Sequence, residues 1–180
     1  MNVSTKKLVR ASLLMALGLL LPFLTGQIPT IGRMLSPMHI PVLLCGMICG
    51  WPYGLAVGFL TPLLRSVLFG MPAIYPQAVG MAFELAVYGL VSGLVYARFQ
   101  KKDLKAIYIT LITAMLAGRL VWGLVSILLY GVVGNAFTFQ MFLAGAFVNA
   151  VPGIILHLVL IPAIMFALER SGVLEKERRE

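Results

Sequence analysis

The sequence predicts an all-α integral membrane protein, a compact bundle of six transmembrane helices in a single domain that covers residues 1–180. Apolar residues make up 61% of the chain and charged residues only 11%, whereas charged residues are about a quarter of a typical soluble domain. The apolar residues form six runs, separated by proline, glycine or charged breakers. Most of the basic residues lie in short clusters between these runs, which favours a membrane over a nucleic acid as the partner.

The first predicted helix covers about residues 8–25 and follows a basic head. A secretory signal has a similar build, but equally apolar runs recur downstream and no clean cleavage site follows. We therefore expect this helix to be retained. The runs that follow cover about residues 39–50 and 53–69, with a break at Trp51-Pro52, and then 76–97, 106–130 and 140–168.

The second and third runs are short for membrane spans, which need roughly 17 to 25 residues. Short or interrupted helices are tolerated at membrane depth where they are buried in protein or line a cavity. Glycines at intervals of four, at positions 46, 50, 54 and 58, favour close approach of these helices to their neighbours. Cys45 and Cys49 lie in the same stretch without further ligands nearby, so we expect apolar packing and no metal site.

The distribution of Lys and Arg predicts that both termini are cytoplasmic. With six spans, eleven of the fourteen basic residues fall on one side of the membrane, and the positive-inside rule assigns that side to the cytoplasm. These residues are Lys6, Lys7, Arg10, Arg98, Lys101, Lys102, Lys105, Arg170, Lys176, Arg178 and Arg179. Arg33 falls in the first outer loop.

Four polar residues are predicted to lie in the outer half of the bundle: Arg65, Glu84, Arg119 and Asn149. Ionisable side chains within spans usually face the bundle interior or a water-filled cavity, because exposure to lipid is costly. Helical spacing extends the set along three faces. These faces hold Gln77, Met81, Glu84 and Tyr88; Arg119, Trp122 and Ser126; and Gly145, Asn149, Gly153 and His157.

Two interpretations of this set remain open. In one, the residues form an outward-facing binding site, to which Tyr75 adds an aromatic cover. In the other, Arg65 or Arg119 pairs with Glu84 to brace the bundle, Asn149 bridges helices and His157 is a hydrogen-bonded packing residue. Catalysis is not expected, because the chain has no Walker A loop and no HExxH motif, and its only aspartate is Asp103. No cofactor is expected either.

The stretch "MHIPVLLCGMICGWPYGLAVGFLTPLLRSVLFGMP", residues 38–72, resembles the substrate-binding S components of energy-coupling factor (ECF) vitamin transporters, and looks most like their pantothenate-like branch. The six-span plan, the size and the basic cytoplasmic ends extend the resemblance over nearly the whole chain. It implies a prokaryotic plasma-membrane subunit that captures a small vitamin and contains no ATPase. It also implies a transmembrane coupling subunit and two ATP-binding cassette ATPases as partners, which alone use ATP.

The resemblance also implies a docking face on the first helix. Members of the family present an Ala-xxx-Ala motif there, and the matching positions in this chain are Ser12 and Ala16. Two functions of other classes stay open beside this one: a stand-alone small carrier or channel, and a structural or assembly protein that binds no solute.

The substrate expected from charge arithmetic is an anion with one carboxylate. Arg65 and Arg119 carry two positive charges and Glu84 one negative charge, so one positive charge is left over. Arginine can hold a carboxylate through two parallel hydrogen bonds. Pantothenate combines a carboxylate with an amide, two hydroxyls and a branched alkyl centre, and is the first candidate. Pyridoxine and cobalamin fit less well and remain alternatives.

Overall fold

The computed structural model describes residues 3–25, 28, 34–132, 134 and 136–171. Across these residues the chain is helical and contains no strand. Seven α-helices lie wholly within these described ranges: α1 Val3–Leu20, α2 His39–Cys49, α3 Trp51–Phe69, α4 Val79–Arg98, α5 Leu104–Val132, α6 Phe139–Leu143 and α7 Val151–Arg170. Helix α4 packs against α2, α3 and α5 and so forms the centre of the bundle.

Helix α1 tightens at its end into a 3₁₀ helix, Leu21–Thr25. Pro22 lies in the first turn of this segment and has no N–H to donate. In 3₁₀ geometry the carbonyl of Leu19 would pair with the amide of residue 22, so it has to find another donor. The side chain of Arg65 on α3 donates to this carbonyl. This hydrogen bond ties the end of α1 to α3.

The break between α2 and α3 lies at Gly50, one residue before the predicted Trp51-Pro52 break. Gly50 has φ +96° and ψ 167°, a backbone conformation that essentially only glycine adopts. Trp51 and Pro52 begin α3, because proline is well suited to the first turn of a helix, where its missing N–H costs nothing. The break is therefore set by the glycine.

Glycines bring α2, α3 and α4 into backbone contact, as their spacing predicts. A Cβ at Gly54 would lie 2.7 Å from the Cα of Gly46 and 2.8 Å from the carbonyl carbon of Gly89. A Cβ at Gly58 would lie 2.8 Å from the Ala86 amide nitrogen. Such distances are too short for real side-chain atoms, so these positions admit only glycine without a backbone shift.

Wider turns interrupt the helical register at two places. The first, Ile74–Ala78, precedes α4 and contains an extended residue, Tyr75, with φ −126° and ψ 135°. The second, Ala144–Val148, joins α6 to a turn at Asn149–Ala150 and then to α7. Residues on either side of such a turn do not follow a simple interval of four.

In the part of the chain that the structure describes, five helical segments are long and apolar enough to cross a membrane: Thr5–Leu24, Trp51–Phe69, Ile74–Arg98, Leu104–Val132 and Phe139–Arg170. Helix α2 is also apolar but has only 11 residues, fewer than the roughly 17 that a span needs. The all-helical membrane class is thus confirmed, whereas six complete spans remain a prediction. The orientation also remains a prediction, and four of the residues behind it, Arg33, Lys176, Arg178 and Arg179, lie outside the described residues.

Cysteine labelling in intact cells tests this orientation. In a chain without Cys45 and Cys49, we expect an impermeant thiol reagent to label a cysteine at position 75 and not one at position 102. The basis is the positive-inside rule, which places the basic segment around Lys102 in the cytoplasm. Labelling at 102 without labelling at 75 would reverse the topology.

Candidate functional site

Three side chains from three helices converge on one carboxylate oxygen, Oε1 of Glu84 on α4. The Tyr88 hydroxyl donates to it across 3.2 Å. Arg119 Nη1 on α5 lies 3.3 Å away, and His39 Nε2 at the start of α2 lies 3.7 Å away. Glu84 is therefore the centre of a polar group inside an otherwise apolar bundle.

A second histidine extends this group to α7. The rings of His39 and His157 stack with centroids 5.7 Å apart. Both rings point a nitrogen at the same acceptor, the carbonyl of Ser36, at 3.1 Å for His39 Nδ1 and 3.2 Å for His157 Nε2. Ser36 thus links the residues before α2 to α7. We call His39, Glu84, Tyr88, Arg119 and His157 the polar cluster.

Local sequence explains how these side chains reach one another. Glu84 and Tyr88 are four residues apart and share one face of α4, as predicted. Gly118 on α5 faces this side, and a Cβ there would overlap the Tyr88 ring. The missing side chain lets α5 approach α4 closely enough for the neighbouring Arg119 to reach Glu84.

The polar cluster is buried. Exposed fractions range from 0% for Tyr88 to 8% for Arg119. Three nitrogens in it have no hydrogen-bond partner among the described residues: His39 Nε2, Arg119 Nε and His157 Nδ1. A buried polar atom without a partner costs free energy of about 1–3 kcal/mol. Unused hydrogen-bonding capacity of this kind is typical of a binding site.

Aromatic residues cover α5 one turn beyond Arg119. Trp122 stacks on Phe142 of α6 with centroids 6.3 Å apart and meets Phe137 edge-on at 5.6 Å. Gly80 of α4 lies against the same indole. A Cβ added to Gly80 would be 3.7 Å from the Trp122 ring atoms Cδ1 and Nε1. Arg119 and Trp122 lie about one helical turn apart, so the polar cluster and the aromatic group around Trp122 are neighbours along α5.

Arg65 lies elsewhere. Its guanidinium donates to the Leu19 carbonyl and lies over two phenyl rings, at 4.8 Å from the Phe23 centroid and 5.4 Å from the Phe69 centroid. It is 2% exposed. Arg65 thus stabilises the contact between α1 and α3. Arg65 therefore does not contact the polar cluster, and its predicted role in substrate binding remains a prediction.

Three other predicted residues lie near the ends of helices and outside the polar cluster. Tyr75 is exposed and donates its hydroxyl hydrogen to the Leu129 carbonyl of α5. Gln77 is exposed in the wide turn before α4, and Asn149 is exposed in the turn before α7. Neither amide shares the buried face of Glu84 or His157, because the register changes at these turns.

The predicted docking residues lie on an exposed face of α1. Ser12 and Ala16 are both exposed, and the Ser12 hydroxyl donates back to the Leu8 carbonyl at 2.9 Å. Large apolar side chains beside them, including Leu13 and Leu17, are exposed as well. This face is open to lipid or to another membrane protein.

His39 and Ser36 were missed as members of the site. The signal available in the sequence was a histidine at the entrance of a strongly apolar helix, where a polar side chain needs a buried partner. No group of three or more His, Cys, Asp and Glu suited to a metal ion occurs among the described residues.

The family model described as "ECF transporter, substrate-specific component" matches residues 6–165 of the chain. No curated protein and no solved structure matches the chain.

Proposed function

The chain belongs to the family of ECF transporter substrate-specific components, and from that premise we propose that it captures a small water-soluble vitamin in the outer half of the bundle. This family consists of multi-pass membrane subunits that bind a transporter's substrate, and not of enzymes. The observation that carries the proposal is the polar cluster on Glu84, since unpartnered nitrogens deep in an apolar bundle favour a polar ligand.

Pantothenate is the first candidate. Arg119 supplies a guanidinium for its carboxylate, and Trp122 supplies an apolar surface for its branched alkyl centre. The hydroxyl and amide groups of the vitamin suit the remaining hydrogen-bonding atoms of the polar cluster. Pyridoxine and cobalamin are the alternatives to compare with it.

Ligand-dependent stabilisation of the purified protein tests this function. A ligand that binds only the folded state raises the unfolding temperature. We expect one compound from a panel of water-soluble vitamins to do so, with pantothenate tried first. A structural protein would be stabilised by none. Uptake in cells with and without the ATPases then separates an ECF subunit, which needs them, from a stand-alone carrier, which does not.

Replacing Arg119 by alanine is expected to weaken vitamin binding by about 2 kcal/mol or more, the usual cost of losing a charge-assisted contact. Arg119→Lys should recover only part of this loss, because lysine lacks the planar fork. Binding isotherms on folded protein measure both effects. Unchanged affinity in folded Arg119→Ala would remove Arg119 from the site.

We further propose that α1 docks on a transmembrane coupling subunit driven by two ATPases, and that the protein works in a prokaryotic plasma membrane. The exposed small residues Ser12 and Ala16 support a helix contact at this face, because small side chains let membrane helices approach closely.

Substituting Ser12 or Ala16 by leucine is expected to abolish co-purification with the coupling subunit and ATP-driven uptake, while ligand binding by the isolated subunit survives. A matched control is Ala163→Leu, the same substitution at an exposed position on α7 and not on α1. Normal uptake by both leucine variants would place the docking face elsewhere.

A further inference from the structure

The hydrogen bonds of the two histidines define where their protons are. A carbonyl oxygen can only accept, so the nitrogens that face the Ser36 carbonyl, His39 Nδ1 and His157 Nε2, must be N–H donors. If His39 carries a proton on Nδ1 alone, its Nε2 presents a lone pair. That lone pair then faces Oε1 of Glu84 at 3.7 Å.

Two acceptors facing each other in a buried place repel, and here His39 Nε2 is the one left without a donor, since Oε1 accepts from Tyr88 and pairs with Arg119. A second proton between Nε2 and Oε1 removes this conflict. It sits on His39, which is then a cation beside a carboxylate, because 3.7 Å suits an ion pair and is too long for a hydrogen bond from Glu84 to the ring. The His39–Glu84 pair then has no net charge.

The other groups that face the pair leave one charge uncompensated. Tyr88 donates a neutral hydroxyl from α4. His157 on α7 stacks on His39 and has its partner through Nε2 alone, as in a neutral ring. Arg119 on α5 is always charged. The sum over the polar cluster is therefore one positive charge.

Building on the proposed function, we propose that His39 and Glu84 share one proton, and that the substrate is bound as an organic monoanion that compensates the charge of Arg119. Arg119 is the most exposed member of the polar cluster, and its Nε has no partner among the described residues. An incoming anion therefore meets Arg119 first, while His39 determines that the site is cationic. His39 becomes a residue that determines specificity.

The shared proton is tested without any ligand by nitrogen NMR of the whole protein in lipid nanodiscs. The chain has only two histidines, so a His157→Gln variant assigns both rings. We expect both His39 nitrogens, Nδ1 and Nε2, to be protonated. A neutral ring protonated on Nε2 alone, or a bare Nε2, would overturn the proposal.

The substrate class is tested with acid and neutral partners of similar shape, pantothenate with panthenol and nicotinate with nicotinamide. If the proposal holds, any stabilising pair shows the acid binding at least about tenfold more tightly, as expected for one charge-assisted contact. Equal or tighter binding of the neutral partner would contradict it.

Two variants distinguish this arrangement from the competing one, in which no proton is shared. For each variant the two arrangements predict a different change in the preference for the acid. With a shared proton, His39→Gln leaves Glu84 and Arg119 to neutralise each other, so the preference for the acid falls. Glu84→Gln leaves a neutral His39 beside charged Arg119, so the preference persists even if affinity drops. Without a shared proton, His39→Gln leaves the preference unchanged and Glu84→Gln increases it.

Failure of this proposal and failure of the proposed function give different results. If no vitamin stabilises the protein, the proposed function is contradicted, and the NMR spectrum still decides the protonation of His39. If a vitamin binds but only in neutral form, the function stands and the monoanion proposal falls.

Discussion

Replacing Glu84 by leucine is expected to lower the free energy of unfolding by about 3 kcal/mol or more, since each buried polar group left without its partner costs about 1–3 kcal/mol. Three groups converge on Glu84 Oε1: the Tyr88 hydroxyl, Arg119 Nη1 and His39 Nε2. Leucine has a similar volume and no acceptor. The substitution therefore leaves several polar groups in an apolar interior.

Glutamine at the same position is the matched control. It keeps an acceptor oxygen for Tyr88 and Arg119 and adds an NH₂ group that can donate to His39 Nε2. Glu84→Gln should therefore cost much less than Glu84→Leu. Equilibrium unfolding in a fixed detergent measures both. Equal losses for the two variants would show that the acceptor at Glu84 contributes little to stability.

Introducing valine at Gly89 is expected to cost about 3 kcal/mol of folding free energy, the upper end of the usual range for overpacking. A Cβ at this position would overlap the Gly54 carbonyl and lie 2.8 Å from the Gly54 Cα. The obstacle is backbone on both sides, so no side-chain rotation relieves it. Helices α3 and α4 have to separate, and α2 loses its place against both.

Gly131→Val provides the comparison. Gly131 is also a helical glycine, near the end of α5, but a Cβ there would meet nothing within 4 Å. Its replacement should change stability by no more than about 0.5 kcal/mol. If Gly89→Val unfolds under the same conditions as Gly131→Val, the close approach of α3 and α4 is not needed for stability.

The parts of the site that the sequence predicted are those that depend on one continuous helix. Glu84 and Tyr88 share a face of α4, and Arg119, Trp122 and Ser126 share a face of α5. Both follow from helical spacing alone. The pairing of Arg119 with Glu84, one of the two interpretations left open, also required only that these faces meet.

Where the helix is interrupted, helical spacing assigned residues to the wrong face of the helix. Gln77 and Asn149 were assigned to the faces of Glu84 and His157 by intervals that hold only in a regular α-helix. The wide turns at Ile74–Ala78 and Ala144–Val148 add residues without adding full turns. Nothing in the composition of these two segments identifies the extra width.

The partners of Arg65 and His39 could not be predicted from the sequence for a different reason. Arg65 donates to a carbonyl freed by Pro22, more than forty residues earlier, and His39 meets Glu84 because α2 lies against α4. Both contacts depend on which helices are neighbours. Helical periodicity identifies the face of a helix and not the element that covers it.

The glycine contacts that join α2, α3 and α4 all lie between residues 46 and 93, so they are complete early in biosynthesis. A ribosome that has delivered the chain up to the end of α4 has already supplied every backbone surface in this interlocked unit. Arg119 and His157 lie later in the chain and reach the membrane after Glu84 and His39. During synthesis from the N-terminus, the scaffold therefore precedes the site, and the last helix to be inserted closes the polar cluster.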